Sequence, residues 1–499
     1  MNGFHGRVKI SVSKLCKTSM FSGFNMNGPS SFSAKEDVVR FISENSMKIL
    51  NLCHIPEDGR LKTLSFSASD KNRVSEILEL GERVDGSNLF SFIGSDNSDI
   101  CIMPRIAKAF VNPFSALPTL NVMCDYLDEH GKPLDVAPKN VLARAEEKLR
   151  SSSGIVLKAL AELEFYILAK QESEMLFPGA PDKNYHESAP LSMFEGLRNE
   201  ILATLASVGV FTKYGHSEVG RVFDKSNLLM EQQEVEFMPQ DLAETAENVV
   251  IAKWVIRNVC AKHGVSVSFS PKVSLEHAGN GMHLHLCALK NGENVIANPN
   301  GSLSAEALKI IGGVLKFAPS LSAFGNTVPV SYLRFIARKE SPMSICLSAR
   351  NRLALIRIPL WWSFARKVED KGSLRETFEY RAPDPLANTY LLLAGIAVAA
   401  NYGLENFEES VKIAEELRIS NEKDRRRKRF RILQRSCYEA AKMLVKDRRL
   451  YEANGVFPKK LIDKTLENLK AYKDRDLWIN LTDKPEKIEK MLTQYLHCS

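Results

Sequence analysis

The stretch HAGNGMHLHL, residues 277–286, sets a glycine-rich turn directly before two histidines one residue apart. Side chains of an extended strand alternate faces. His283 and His285 therefore point one way, while Met282, Leu284 and Leu286 point the other, into a core. The spacing predicts a half-buried strand and leaves open whether the histidines meet a metal, a phosphate or solvent. Three further segments read the same way. In ALAELEFYIL (159–168), Glu162 and Glu164 share a face opposite Leu163, Phe165 and Ile167. In EQQEVEF (231–237), Glu234 and Glu236 oppose Val235 and Phe237, and in TFEYRAPDP (377–385) the pair is Glu379 and Arg381.

Any one such pair is what the solvated face of an antiparallel strand displays. If the four strands are neighbours, several carboxylates and a histidine converge. Two like charges about 4 Å apart cost roughly 4 kcal/mol at an effective dielectric near 20, so the cluster calls for cations. Oxygen donors with an occasional imidazole suit magnesium or manganese, whereas zinc asks for more histidine or cysteine. A second group is arginine-rich: SARNRLALIRIP (348–359) supplies Arg350, Arg352 and Arg357, with Arg334 upstream and Arg381 downstream. Guanidinium forks match carboxylate and phosphate oxygens. Cation-holding carboxylates beside arginines are the parts a phosphoryl-transfer site needs. There is no GxxxxGK[ST] and no Rossmann glycine pattern, so a nucleotide here would not use a P-loop.

The whole chain bounds these readings. At 499 residues it is too long for one small core. Its net charge of +7 is spread along the length and gives no reason to invoke nucleic acid. None of the nine cysteines forms a CxxC pair, as expected of reduced thiols in a cytoplasmic protein. The apolar run YLLLAGIAVAA (390–400) is far short of the roughly 20 residues a bilayer needs and reads as a buried helix. Residues 1–34 are polar and rich in serine and glycine, an extension with loose order expected. Residues 35–135 carry short mixed segments and turn signals, predicting a small sheet-containing domain. A larger unit, 136–499, follows, with long helical patterns such as AETAENVVIAKWVIRNVCAKHG (243–264) and a charged helical tail. The basic run KDRRRKRF (423–430) reads as the solvated face of a surface helix.

In order along the chain, VDGSNLF (84–90), SDICIMP (98–104), AELEF, HSEV (216–219), QQEVEF, GNGMHLHL, SARNRLALIRIP and EYRAPDPLANTY (379–390) resemble the motifs of the glutamine synthetases. The resemblance covers about residues 37–390 and implies an α+β fold. A small N-terminal β-grasp-like domain would precede a large catalytic domain, whose antiparallel, funnel-forming sheet is flanked by helices. It implies ATP-dependent ligation of ammonia to L-glutamate through a γ-glutamyl phosphate, with two or more Mg2+ or Mn2+ ions per subunit. By motif, one metal falls to Glu164, Glu218 and Glu234, and the other to Glu162, His283 and Glu379. His285, Cys287, Arg357 and Thr377 fall near ATP. Arg352 and Arg381 face the transferred phosphoryl, and Arg334 and Gly279 the glutamate. The resemblance further implies that Asp85, from a neighbouring subunit, would bind and deprotonate ammonium with the help of Asp99, and that Glu340 matches the flap glutamate. Subunit sharing implies a homo-oligomer, a dodecamer of two stacked hexameric rings, with neither nucleic-acid nor membrane partners.

Several positions depart from the family pattern. Ala278 stands where an asparagine is common, Cys287 where a serine is usual and Thr377 where an arginine is frequent. VGRVFDKSNLLMEQQ (219–233) and WWSFARKVEDKGSLRETF (361–378) are extended, the latter predicting a hairpin turning at Lys371-Gly372. RFIARKES (334–341) lacks the flap's Pro-Gly, which leaves Glu340 assigned by spacing. Rival expectations are a γ-glutamyl-amine or related carboxylate–amine ligase, a non-catalytic structural relative and, on the residues alone, a metal-dependent hydrolase.

Overall fold

A computed structural model of the chain describes residues 32–171, 176–224, 227–336, 341–342, 344–360, 374–419, 430–479 and 484–498. The Lys371-Gly372 turn, Glu340 and nearly all of the basic run 423–430 lie outside them.

The first sheet has the order β2-β1-β5-β4-β3, formed by β1 (Ile49–His54), β2 (Lys62–Ser67), β3 (Glu82–Asp85), β4 (Asp99–Val111) and β5 (Thr119–Leu127). β1 and β5 run parallel and the other neighbours antiparallel. Helices α1 (Lys35–Glu44) and α2 (Lys71–Leu80) bury Val38, Ile42, Val74 and Ile77 in a core shared with Leu50, Leu52, Ile102 and Val122. Asp70 caps α2 by accepting from the backbone N–H groups of Asn72 and Arg73.

The second sheet has eleven strands. Its main path is β16-β13-β14-β15-β11-β6-β8-β7, with β9 and β10 paired to β6 and β12 paired to β11. The ranges are β6 (Ile155–Lys170), β7 (Thr212–Phe223), β8 (Leu228–Phe237), β9 (Gln240–Asp241), β10 (Ser266–Ser268), β11 (Met282–Lys290), β12 (Glu293–Asn294), β13 (Ser344–Ala349), β14 (Ala354–Ile358), β15 (Phe378–Tyr380) and β16 (Arg418–Ile419). From β15 to β7 all pairing is antiparallel, while β13 runs parallel to both β14 and β16, so one margin of the sheet is mixed.

The alternation in the sequence becomes a two-faced sheet. Leu163, Phe165, Val235, Met282, Leu284 and Leu286 are fully buried on one side. That side meets the helical layer: α3 (Pro138–Ser153), α4 (Glu195–Ser207), α5 (Leu242–Lys262), α6 (Ala305–Gly325), α7 (Pro329–Ile336), α8 (Thr389–Glu405) and α9 (Phe407–Glu416). The run 390–400 forms the buried centre of α8. α6 is longer and apolar enough by composition to cross a bilayer, yet 83% of its most apolar window is buried inside the protein against α8 and α9. Helices Cys437–Glu452, Lys459–Ala471 and Pro485–Tyr495 complete the layer.

Candidate active site

Register carries the polar residues of six strands onto one face. Across β11 and β6, His283 stands opposite Glu162. Across β6 and β8, Glu162 opposes Glu236 and Glu164 opposes Glu234. Across β8 and β7, Glu234 opposes His216, and on the other flank β15 sets Glu379 opposite both His285 and Arg357. Paired residues of neighbouring strands lie about 5 Å apart and on the same side, so the result is a continuous row of carboxylates and imidazoles.

The two ends of this row differ. At the β11 end, His283 Nδ1 lies 2.9 Å from Glu162 Oε2 and 3.7 Å from Glu379 Oε1, and His285 Nε2 lies 2.9 Å from Glu162 Oε1. Arg357 Nη1 donates to Glu379 Oε2 at 2.7 Å, and Arg381 Nη1 donates to its other oxygen. Burial alone would raise both carboxyls. His285 and His283 outweigh it at Glu162, which is held well below the ordinary range, and Arg381 outweighs it at Glu379, which is also lowered. Burial, with Arg381 adding to it, presses His283 down to about 4. Burial also opposes the charged form of His285, but the Glu162 carboxylate prevails and raises it.

At the β7 end, among the described residues, no guanidinium pairs with Glu218 or Glu234. Glu218 and Glu234 flank His216, with Glu218 Oε2 3.6 Å from Nδ1 and Glu234 Oε1 3.2 Å from Nε2. Burial, then repulsion from Glu164 and Glu234, raises Glu218 to about 9. Burial and repulsion from Glu162 and Glu164 push Glu234 well up, and burial takes Glu164 to about 7 despite Arg334.

Among the described residues, three groups of side chains bring ligand atoms within 4.8 Å of one another: Glu162, His283 and Glu379; Glu162, Glu236 and His285; and His216, Glu218 and Glu234. Each offers carboxylate oxygens and one imidazole, the donor set that fits magnesium or manganese. Glu236 also buries Oε2 without a hydrogen bond, while its Oε1 accepts from Lys213 at 2.8 Å. His216 and Glu236 were passed over as site residues in the sequence. The signal for His216 was present in HSEV, where His216 and Glu218 repeat the i, i+2 spacing of the other pairs. Glu164, placed by motif with Glu218 and Glu234, stands opposite Glu234 and also accepts from the Gly281 N–H at 2.7 Å and from Gln232 Nε2 at 3.1 Å.

The arginines divide. Arg357 and Arg381 stand in the row. Arg352 is exposed on the β13–β14 connection, its guanidinium 5.9 Å from the Tyr185 ring centroid, and that ring lies 5.4 Å from His216. Arg334 is buried, and its fork is committed to the protein. Nη1 donates to the carbonyls of Ala382 (2.9 Å) and Pro383 (3.1 Å), while Nη2 donates to that of Arg381 (3.1 Å) and meets His283 Nε2 at 3.3 Å. The same segment is fastened on three other sides: Arg381 N–H to Leu355 O, Met282 N–H to Pro383 O and Asp384 N–H to Gly325 O.

The glycines of the opening turn answer to this packing. A Cβ at Gly281 would lie 2.6 Å from both Arg334 Nη2 and His283 Nε2, and one at Gly279 would collide with the Pro271 carbonyl. The close approach that glycine permits here is to the protein's own groups. Ala278 is buried, and its carbonyl accepts from Tyr166 Oη at 2.8 Å. Thr377 Oγ1 lies 3.2 Å from His285 Nδ1, and Cys287 is buried on β11 with its thiol raised to about 12 by burial. Asp85 and Asp99 face each other across β3 and β4 of the first sheet. Both are exposed. Asp85 accepts from Ser87 and Asn88, which hold its carboxyl below the ordinary range, and Asp99 pairs with Arg83 at 3.3 Å.

The sheet and its row of hard ligands beside arginines are those of a protein whose donor set fits divalent cations. The family follows from comparison. The family model of the glutamine synthetase catalytic domain matches residues 135–486, and that of the glutamine synthetase β-grasp domain matches 46–129. The glutamine synthetase of Pyrococcus abyssi is 32% identical over 432 residues (86% of this chain, 91% of that one), and that of Thermococcus kodakarensis 34% over 434 (86% and 89%). The Escherichia coli enzyme is 28% identical over 488 residues, 91% of this chain and 98% of its own. A cryo-EM structure of Plasmodium falciparum glutamine synthetase shares the fold, with a TM-score of 0.76 at 18% identity over 89% of this chain and 96% of that one. The chain belongs to the glutamine synthetase family.

Proposed function

We propose that the chain ligates ammonia to L-glutamate at the expense of ATP, through a γ-glutamyl phosphate, releasing glutamine, ADP and phosphate. The row of Glu162, Glu164, Glu218, Glu234, His283 and Glu379 on one sheet face, in a member of this family, carries the reading. Bound Mg2+ or Mn2+ would neutralise charge on phosphate and carboxylate oxygens. Glu162, His283 and Glu379 form one candidate seat, and Glu218 and Glu234 with His216 the other. Arg357 and Arg381 hold Glu379 and keep a guanidinium edge beside the point where phosphoryl charge develops. His285, oriented by Glu162 and close to Thr377, donates toward phosphate oxygens. Arg352, on its exposed connection, reaches the transferred group, and Glu340 shields the intermediate from water.

Ammonium is not nucleophilic until it loses a proton. Asp85, kept ionised by its own loop, supplies both a cation site and a base when presented by a neighbouring subunit, with Asp99 alongside. That sharing would call for a ring of subunits, by resemblance to the family a dodecamer of two stacked hexameric rings, and thiols outside any disulfide among the described residues suit a cytoplasmic location. A second reading, a γ-glutamyl-amine or related amine ligase, is favoured by Ala278 and by the commitment of Arg334's fork to backbone carbonyls, which change what the substrate's α-end would meet. Purified protein given ATP, Mg2+ or Mn2+ and glutamate, with ammonia or a panel of amines, decides between them by phosphate release and product analysis. Turnover with an amine and none with ammonia overturns the first reading.

A further inference from the structure

Away from the glutamate row, a cavity of about 230 Å3 opens between the two domains. One wall is the β1–β2 connection, with Asp58 and Arg60. The other walls are α5, with Lys253 and Arg257, and Leu386 ahead of α8. No residue of the glutamate row lines it. Three of its lining residues are cations. Asp58 is the one acid, and it is engaged by Lys62 at 2.8 Å and by the Arg60 N–H at 3.0 Å.

Among the described residues neither cation on α5 forms an ion pair, and the charge of Asp384 favours the ionised form of Lys253. Lys253 is 8% exposed, and its ammonium meets the Pro385 carbonyl. Arg257 reaches the Lys253 carbonyl at 3.4 Å and lies over the Phe269 ring at 4.7 Å, while its Nη2 is buried without a hydrogen bond. Burial, then the neighbouring Arg257, lowers Lys253 to about 7, and burial with Arg60 lowers Arg257 to about 10. Buried donors without acceptors are costly, and an oxyanion would satisfy donors and charge together.

We propose that Arg60, Lys253 and Arg257 form a second anion site, separate from the reaction centre, that takes a small phosphate-type oxyanion. Guanidinium forks bind phosphate bidentately, and the buried ammonium adds a point charge from below. The volume exceeds that of one phosphate group but is below the roughly 300 Å3 at which pockets for drug-sized ligands begin. The occupant is therefore orthophosphate or a small phosphate ester, and a whole nucleotide is too large. Lys253 also holds Pro385, which follows the segment clasped by Arg334. An anion here would tie the first domain to the strand end carrying Arg381.

The test is calorimetric titration of the whole protein with orthophosphate, with chloride at matched ionic strength as control and succinate as the carboxylate arm. The variants are Arg257→Gln and Arg60→Gln. Saturable phosphate binding whose dissociation constant weakens about ten-fold in Arg257→Gln, and measurably in Arg60→Gln, is the expected result. Phosphate held by the glutamate row would be unaffected by either change, so unchanged binding in both variants overturns the site. Saturable binding of succinate with none of phosphate overturns the ligand class. Should Arg257→Gln not fold, Arg60→Gln, on an exposed connection, decides by the same criterion.

Discussion

The two ends of the glutamate row are built from the same residue types and balanced in opposite ways. At the β11 end, two imidazoles and two guanidiniums meet Glu162 and Glu379, and the carboxyls stay ionised. At the β7 end, Glu218 and Glu234 share His216 and, among the described residues, no guanidinium, and their carboxyls are raised. One end carries its countercharge in the chain, and the other awaits it from outside.

The largest effect should come from breaking the balanced end. Glu162→Ala or His283→Ala removes a ligand and leaves buried partners uncompensated. Turnover should fall by about a thousand-fold or more while the assembly persists by size-exclusion chromatography. Undiminished turnover in either variant would show that this end holds no catalytic cation.

The next effect is a pH dependence of opposite sign at the two ends. Glu164 and Glu218, raised to about 7 and about 9 from an ordinary 4.5, bind more protons folded than unfolded. Their contribution to stability is complete below pH 4.5 and declines as pH rises through about 7 and then about 9. Glu162 and Glu379 are depressed, so their contribution is present above 4.5 and is lost as pH falls through their folded values. Metal-free protein should therefore melt at lower temperature at pH 9 than at pH 6, and Mg2+ or Mn2+ should abolish that decline while releasing protons. Titration in two buffers of different ionisation enthalpy counts those protons. Metal binding without proton release would refute the imbalance.

His216→Ala sharpens the comparison by removing the imidazole between Glu218 and Glu234. Metal affinity should weaken by about ten-fold or more, with little change at the β11 end. Equal affinity for two cations in wild type and variant would exclude His216 as a ligand. The smallest change expected is in Gly281→Ala, where the added methyl crowds Arg334 and His283. Overpacking of this kind costs about 1–3 kcal/mol, to be read as a lowered melting temperature.

Much of this site was legible from period-two spacing: the faces of Glu162, Glu164, Glu234, His283 and Glu379 follow from alternation alone. Alternation assigns a face and not a neighbour, so it could not say that β6 lies between β11 and β8. It also left His216 unremarked beside Glu218, on a strand whose register shifts between Ser217 and Arg221. The fate of Arg334 was equally hidden, because its partners are backbone carbonyls, which every sequence possesses. The glycines signalled close contact correctly, but what they approach is a tertiary fact. The mixed margin of the sheet was illegible too: β16 reaches β13 from far along the chain, and β13 and β14 run parallel although a short connection joins them.

The tetrapeptide Arg381–Asp384, tied to β11, β14, α6 and α7 at once, has a consequence for how the protein comes apart. The sheet and the helical layer share these bonds, so neither can open while the other keeps them. The catalytic unit should lose its structure in one cooperative step, and the amides of Met282, Arg381 and Asp384 should exchange with deuterium only at the rate of that global opening.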